Sequence, residues 1–534
     1  MIDLSRARRV PYAHQLVGVE SLVKMSDPPT GRTLRGCFML QDEMRLGKSK
    51  QIIDAACVLF ERGELDRVII ICPASVRAVW YDPDQAFGEI SQHMWVGMPV
   101  KVTEYHARKR SWSRGTGHQL EWIVTNYDFI RNKQRREYLL KLCNAKTWLV
   151  LDESSAVKNH RAKQTKACVE LRYRCGRVTL LNGTPISNSP GDMYSQGNIM
   201  DPMILQCKNY FHFRSRYGVI GGFQNREIVS WINIDDLQRR FKPYVLNRRM
   251  EDCFDLPEQL PPTYLTAALS DASWKIYKEM RDEMVAWLDQ QTVAVAAQAG
   301  VKAMRLAQIT SGFVGGLQEM KACRCREDES GDPEGLLPDP GCERCGGAGS
   351  FEVTGVEPRE VGREKLDALL EWVDARVAED PELKLLIWCR FRAEIARLYR
   401  VLTEERGFTQ VGLIWGGQKR DERDQALRLL KPATSPKGVA IVIGTPASGA
   451  KGLDLSAAHH LVYCSNDYRL ETRLQSEARI KHPSRKMPIS YVDIIATGPA
   501  GQKTIDHAVL KALRAKNDLA TWTVSAWITA LKEE

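Results

Sequence analysis

The stretch Gln41–Gln51 reads QDEMRLGKSKQ and sets Gly47-Lys48-Ser49 between an acidic turn and an apolar run with helical spacing. The order of these residues suits a phosphate site. A glycine lets the backbone curl so that successive N–H groups and the following helix N-terminus face an anion. The lysine reaches the β and γ phosphates, and the hydroxyl ligates Mg²⁺. At ordinary glycine frequencies such a tripeptide arises by chance in roughly a quarter of chains this long. The general phosphate-loop pattern also asks for glycine five residues before Gly47, where this chain has Asp42. The tripeptide therefore needs corroboration from elsewhere in the chain.

A chain of 534 residues, 43% hydrophobic and 27% charged, is globular and too long for one ordinary core, so two to four structural units are expected. The 76 basic residues against 66 acidic ones leave a net charge of +10, a mild excess compatible with a polyanionic partner. There is no run of about 18 apolar residues, and the N-terminus MIDLSRARRV lacks a signal peptide's apolar core. The expectation is an unsecreted protein without a membrane segment, cytoplasmic in a bacterium or a virus-infected host cell, or nuclear. Ten of the 14 cysteines are scattered singly, many in apolar segments, which suits a reducing compartment.

Short apolar runs recur along the chain, each ending in polar or Gly/Pro punctuation: VIIIC at Val68–Cys72, WIVT at Trp122–Thr125, WLVL at Trp148–Leu151 and VTLL at Val178–Leu181. A second series follows at Leu385–Cys389, Val411–Trp415, Val439–Ile443, Leu461–Cys464 and Ile489–Ile495, with helical patterns such as Arg392–Leu402 and Arg420–Leu430 between. Buried parallel strands with covering helices give this rhythm, so the fold class is α/β with two lobes. The expected division is an N-terminal lobe at 1–245, a largely helical linker at 246–320, a cysteine-rich insertion at 321–361 and a C-terminal lobe at 362–534.

In open parallel sheets ligands gather at the carboxyl ends of strands. After WLVL come Asp152 and Glu153, the first able to hold Mg²⁺ and the second able to orient and deprotonate water. An acidic helix N-terminus would explain the same pair. After VTLL comes Asn182-Gly183-Thr184-Pro185, and after VAIVI come Gly444-Thr445-Pro446 and Gly452-Leu453-Asp454-Leu455. Gln475-Ser476-Glu477-Ala478-Arg479 spaces Gln475 and Arg479 one helical turn apart on one face.

Order and spacing together resemble the helicase motifs of superfamily 2, and within it the Swi/Snf-like family of DNA-dependent ATPases. PYAHQLVGV (Pro11–Val19) is similar to the adenine-reading Q motif, DEMRLGKSKQ to motif I and VIIICPASVRAVW (Val68–Trp80) to motif Ia. DESSAVKN (Asp152–Asn159) stands where the family has its DEAH-type box, LLNGTPISNSPGDMYS (Leu180–Ser195) resembles motif III, and LNRRMEDCFDLPEQLPP (Leu246–Pro262) resembles its arginine-rich hinge. The resemblance implies two tandem RecA-like lobes in which Gln15 reads adenine and Gly47, Lys48 and Ser49 hold ATP and Mg²⁺. It further implies that Asp152 supports the metal, Glu153 activates water and Thr184 couples hydrolysis to the nucleic-acid groove. Thr445 is assigned to the same coupling, Asp454 to the nucleotide, and Gln475 and Arg479 to the γ-phosphate, reached from the second lobe.

Three positions depart from the family pattern. Arg45 replaces the usual glycine of motif I, Ser154 and Ser155 replace Ala-His, and His482 stands where motif VI has its second arginine, leaving that role to Arg479 or Arg485. Separately, Cys323 and Cys325, then Cys342 and Cys345 with sixteen residues between the pairs, offer four thiolates for a structural Zn²⁺, with a redox pair or unliganded thiols as alternatives. His106–Arg114 (HARKRSWSR) mixes cations with Trp112 and suits a phosphate backbone or a solvated loop. The function expected is a monomeric ATP-driven translocase on duplex or branched DNA, in replication, recombination or repair. Strand separation on DNA or RNA and a slowly hydrolysing ATP-gated clamp are the rivals.

Overall fold

The computed structural model describes residues 3–25, 36–81, 88–105, 118–183, 190–221, 227–256, 260–290, 296–315, 319–322, 350–353, 357–416, 418, 420–449, 454–483, 485 and 487–515. Thr184, Cys323, Cys325, Cys342, Cys345 and the stretch His106–Arg114 lie outside the described residues. The described residues divide into two compact units, one within Met1–Leu256 and the other within Pro257–Arg514.

In chain order the first unit has strands β1 (Gly36–Leu40), β2 (Arg67–Cys72), β3 (Val100–Glu104), β4 (Leu120–Asn126), β5 (Thr147–Leu151) and β6 (Arg177–Leu181). An antiparallel pair, β7 (Gly218–Gly221) and β8 (Glu227–Trp231), and then β9 (Val245–Leu246) follow. Seven of these form one sheet in the order β3-β4-β2-β5-β6-β1-β9, parallel at every pairing. Side chains alternate between two covered faces. Ile69, Ile71, Ile123, Leu149, Leu151, Val178 and Leu180 enter one core, while Val68, Ile70, Val124, Trp148, Val150 and Leu181 enter the other. This two-sided burial is why the strands read as unbroken apolar runs.

The second unit adds β10 (Thr263–Ala268), two short antiparallel pairs, β11 (Phe313–Val314) with β14 (Arg359–Glu360) and β12 (Glu319–Ala322) with β13 (Ser350–Val353), and then β15 (Lys384–Trp388), β16 (Val411–Ile414), β17 (Ala440–Gly444), β18 (His460–Tyr463) and β19 (Ser490–Thr497). Its main sheet runs β10-β19-β18-β15-β17-β16, again parallel throughout. Leu385, Ile387, Ile441, Ile443, Val462 and Val492 pack on one face, and Leu386, Trp388, Val442, Leu461 and Tyr463 on the other.

All nine strands read from the sequence are present within about two residues of their expected ends. Four sheet strands were not read: β1, β3, β9 and β10. β1 (GCFML) carries no β-branched residue, and β3 (VKVTE) is an edge strand that is mostly part-exposed. The stretch expected to be largely helical is so only in part. Asp271–Gln290 and Ala296–Thr310 are helices, but Leu246 closes the first sheet and Thr263–Ala268 opens the second. The side chains of Thr263, Tyr264, Leu265 and Thr266 favour extended backbone, and pairing with β19 decides the conformation.

Candidate functional site

At the carboxyl end of β1 the chain turns through Asp42–Leu46 into the helix Lys48–Glu61, with Gly47 as its N-cap at φ 76° and ψ 42°. Gly47 is required twice over. Its backbone is left-handed, and a Cβ there would come within 2.3 Å of Gln15 Nε2. The first N–H groups of the helix have no intrahelical acceptor, which makes this terminus receptive to an anion. Ser49 stands in the first turn, part-exposed.

Lys48 folds back over the loop. Its Nζ donates to the carbonyl of Asp42 at 2.6 Å and of Glu43 at 3.3 Å. Burial pushes its ammonium down, and the charges of Asp42, Glu153, Asp152 and Glu43 oppose that shift. The two carboxylates that leave β5 therefore act electrostatically on the lysine that follows β1, as a metal-assisted phosphate site requires.

Asp42, absent from the usual phosphate-loop pattern, is fully buried and has a structural role. Arg248 donates from Nε to its Oδ1 at 2.8 Å and from Nη2 to its Oδ2 at 2.5 Å, and Gln51 Nε2 donates to Oδ2 at 2.9 Å. Arg248 Nη2 also reaches Gln51 Oε1 at 2.9 Å, and Nη1 donates to the carbonyl of His14. Through this guanidinium the loop is tied to the backbone leaving β9 and to the helix Ala13–Lys24. Sequence reasoning placed Arg248 only in an arginine-rich hinge, and pairing over 206 residues leaves no local signal.

Gln15 is buried, with Nε2 donating to the Leu46 carbonyl at 3.2 Å and Oε1 accepting from the N–H of Tyr12 at 3.0 Å. Beside it Tyr12 stacks on His14 with centroids 5.8 Å apart, and both meet Phe254 edge-on at 5.1 and 5.2 Å. This aromatic group borders the loop and includes a ring, Phe254, that the motif reading passed over.

Asp152 is aimed by its neighbours. Trp80 Nε1 donates to Oδ2 at 2.7 Å, the Glu153 N–H to Oδ1 at 3.0 Å, and Tyr127 Oη to the Asp152 carbonyl at 2.8 Å. Trp80 ends motif Ia and Tyr127 follows β4, so segments after two neighbouring strands hold Asp152, Trp80 by its carboxylate and Tyr127 by its backbone carbonyl. Glu153 is left-handed at φ 51°, an uncommon state for a residue with a Cβ. Next, Ser154 Oγ donates to Gln196 Oε1 at 3.3 Å and Ser195 Oγ to the Lys158 carbonyl at 2.7 Å. The departure from Ala-His thus leaves this segment bonded to the helix Asp192–Met200, which begins within the motif III stretch. Gly183 lies against the phosphate loop, since a Cβ there would stand 2.9 Å from Met44 Cγ.

In the second unit Thr445 follows β17, its N–H bonded to the Ile414 carbonyl at 3.1 Å and its hydroxyl to Ser448 Oγ at 2.8 Å. Asp454 accepts from the hydroxyl of Ser456 at 2.7 Å and its N–H at 3.3 Å, a local turn. Gln475 is buried in the helix Leu470–Glu477 and donates to Glu471 Oε1 at 3.2 Å. The helix stops at Glu477, so the expectation of Gln475 and Arg479 on one helical face is corrected. Arg479 lies in the turn beyond, its N–H on the Ser476 carbonyl at 3.3 Å and its carbonyl accepting from Leu455 at 3.1 Å. That turn joins it to the segment after Asp454.

Arg485 is committed within its own unit. Nε donates to Met487, Nη1 to Ser456 and Ile480, and Nη2 to Ala458 and His459 Nδ1, all at 2.7–3.0 Å. Arg473 is equally engaged, at 2.6 and 3.1 Å from the Asp493 oxygens and 3.5 Å over the Tyr463 ring. Among the described residues the close grouping of metal-capable side chains is Cys389, Glu394 and Cys464, all buried in the second unit and none of them a candidate zinc cysteine.

The SNF2-related domain family matches residues 14–328, more than half of the chain. Among similar proteins, the probable ATP-dependent DNA helicase CHR23 of Arabidopsis thaliana is 23% identical over 89% of this chain and 40% of its own length. The chromodomain-helicase-DNA-binding protein 1-like of Danio rerio is 24% identical over the same shares. The chain thus spans about two fifths of these relatives. Among solved structures, the Sulfolobus solfataricus SWI2/SNF2 ATPase core in complex with dsDNA aligns over 100% of this chain and 97% of that one, at 18% identity and a TM-score of 0.40.

Proposed function

Because the chain belongs to the SNF2-related domain family, we propose that it is an ATP hydrolase that moves along duplex DNA and remodels it or displaces what is bound to it. The observation that carries this reading is Lys48 under the joint field of Asp152 and Glu153, at a helix N-terminus capped by a left-handed glycine. This arrangement fits a Mg²⁺-bound nucleoside triphosphate: the loop supplies backbone N–H groups and Ser49 a hydroxyl, while the charges of Asp152 and Glu153 act on Lys48. Mg²⁺, when bound, supplies positive charge to the phosphoryl oxygens.

In this reading Lys48 leaves the carbonyls of Asp42 and Glu43 and turns its ammonium to phosphate. Asp152, held by Trp80 and Tyr127, presents a fixed carboxylate toward the metal. Glu153 holds water and takes its proton. Gln475 and Arg479 are assigned to the γ-phosphate, with Arg485 removed from contention by its five internal bonds. Gln15 and the Tyr12, His14 and Phe254 rings are assigned to the base, Thr184 and Thr445 to coupling with nucleic acid. A structural Zn²⁺ on Cys323, Cys325, Cys342 and Cys345 belongs to the same reading, as do a monomeric state and action on branched duplexes.

The DNA assignment draws support from the relatives, one named a DNA helicase and another a helicase-DNA-binding protein. The word helicase also favours a second reading, strand separation. Steady-state ATP hydrolysis with no nucleic acid, single-stranded DNA, blunt duplex and RNA separates the two, with Glu153→Gln as control. Strong stimulation by blunt duplex, lost in the variant, is the expected result. Stimulation by single strands or RNA alone would replace translocation with strand separation, and none at all would leave a slow clamp.

A further inference from the structure

We propose that Cys389, Cys464 and Glu394 form a buried Zn²⁺ site in the second unit, distinct from the four-cysteine cluster and independent of the nucleotide reading. The fold brings these residues together from three segments. β15 and β18 are neighbours with Trp388 opposite Tyr463, and the Cys464 N–H donates to the Trp388 carbonyl at 2.9 Å, so Cys389 and Cys464 follow side by side where the two parallel strands end. Alternation sends both thiols into the core that holds Leu385, Ile387 and Val462. Glu394, in the first turn of the helix Arg392–Arg400, is buried at 6% exposure, and its carboxylate oxygen and the two sulfurs lie within 4.8 Å of one another.

Two thiols in a core are ordinary filling. A buried carboxyl beside them is not, because burying it costs free energy that an apolar side chain of similar size would not. A disulfide would use the two sulfurs and leave that carboxyl unexplained, whereas two thiolates and a carboxylate are a ligand set suited to Zn²⁺. With Zn–S near 2.3 Å and Zn–O near 2.1 Å, a tetrahedral ion spaces its ligand atoms about 3.5–3.8 Å apart, so shifts on the order of 1 Å close the trio around it. The carboxylate is also held from behind. Ser465 Oγ donates to Glu394 Oε2 at 2.6 Å and accepts from the Arg390 N–H at 2.8 Å, the outer support that metal ligands commonly have. Burial pushes the Glu394 carboxyl and the Cys389 thiol up, so both keep their protons until a cation replaces them. Zn²⁺ on three anionic ligands would leave one negative charge, and the charges of Lys365 and Arg397 already favour an anion at Glu394. Lys365 stands close, donating to the Cys464 carbonyl at 3.0 Å while paired with Asp506 at 2.6 Å.

The test titrates the full chain, kept reduced, with Co²⁺ or Zn²⁺ alone, in a Cys342→Ser, Cys345→Ser background that breaks the other cysteine set. One Co²⁺ per chain should bind with thiolate-to-metal charge-transfer absorption and the visible bands of a tetrahedral ion, and Zn²⁺ should bleach both. Glu394→Gln, nearly isosteric with the protonated acid, should melt like the background without metal yet bind Co²⁺ about tenfold or more weakly. Cys464→Ser should lose the charge-transfer band, and if it fails to fold Glu394→Gln alone decides. A background protein that stays colourless with Co²⁺, or one that binds it as tightly after either substitution, overturns the inference.

Discussion

Replacing Arg248 with methionine removes a guanidinium that spans three segments of the first unit. Its two bonds to the fully buried Asp42, at 2.8 and 2.5 Å, would disappear, together with those to Gln51 Oε1 and the His14 carbonyl. Gln51 Nε2 alone would remain near the carboxylate. Methionine fills much of the arginine stem, so the main loss is the uncompensated charge, worth about 3–5 kcal/mol when one partner of a buried pair is removed. For a unit of this size each kcal/mol moves the midpoint by about 2–4 °C, so the first transition should fall by roughly 6–20 °C. Differential scanning calorimetry of the full chain reads this, and the transition of the second unit serves as internal reference. The double variant Asp42→Asn with Arg248→Met should recover most of the loss, because no buried charge is left behind. A single variant that loses less than about 1 kcal/mol would refute the reasoning, as would a double variant no more stable than the single.

Trp80→Phe keeps an aromatic ring but deletes the N–H that holds Asp152 Oδ2 at 2.7 Å. ATP turnover should drop about tenfold, or ~1.4 kcal/mol in the barrier, with nucleotide affinity nearly unchanged. Gln196→Leu removes the acceptor of the Ser154 hydroxyl, so DNA-stimulated hydrolysis should fall further than basal hydrolysis when the two rates are measured side by side. Burial, aided by the charges of His459 and Arg376, pushes the His460 pKa down to about 4 from the usual 6.5 of a free imidazole. A histidine held neutral in the fold contributes stability that is present above the unfolded value and lost as pH falls from about 6.5 through 4. At ~1.4 kcal/mol per unit the second unit should lose up to about 3 kcal/mol over that window. His459 shifts in the same direction, so His460→Gln should flatten the dependence without abolishing it, as measured by urea unfolding at pH 7, 5.5 and 4.

What was legible in the sequence followed from periodicity and from position relative to strands. The strands buried on both faces announce themselves as apolar runs, and the residues after β5, β6 and β17 could be inspected because ligands collect at carboxyl ends. Three of the four edge strands were not legible: β3 and β10 have part-exposed or exposed positions and β9 is two residues long, whereas the edge strand β16 was read from its apolar run. Partnerships across the chain were also hidden. Nothing in LNRRM says that Arg248 will neutralise Asp42, and nothing in VIIICPASVRAVW says that its tryptophan will aim the carboxylate after a different strand. Motif VI shows the same limit from the other side. The spacing of Gln475 and Arg479 suggested one helical face, yet the helix ends at Glu477, and Arg485 is spent on five internal bonds that only the folded chain reveals.

The two strained residues of the site give these partnerships a common purpose. Arg45 and Glu153 sit in left-handed backbone near Lys48, one in the turn before it and one carrying a carboxylate that acts on it. Each costs on the order of 1–3 kcal/mol, and the local backbone bonds are few: Leu46 N–H to the Glu43 carbonyl at 3.3 Å around the first, and Ala156 N–H to the Glu153 carbonyl at 3.0 Å, opening the short 3-10 turn Ser154–Val157, after the second. The energy that holds them comes from outside: the Asp42, Arg248 and Gln51 network for the first, and the bonds of Trp80 and Tyr127 to Asp152 for the second. Both sets of contacts reach back to long-range partners, so the loop and the acidic pair can remain open toward a ligand without collapsing on each other. In this view the buried polar groups of the first unit act chiefly as a brace for a preorganised anion site, because a dry ion pair adds little to stability for its own sake.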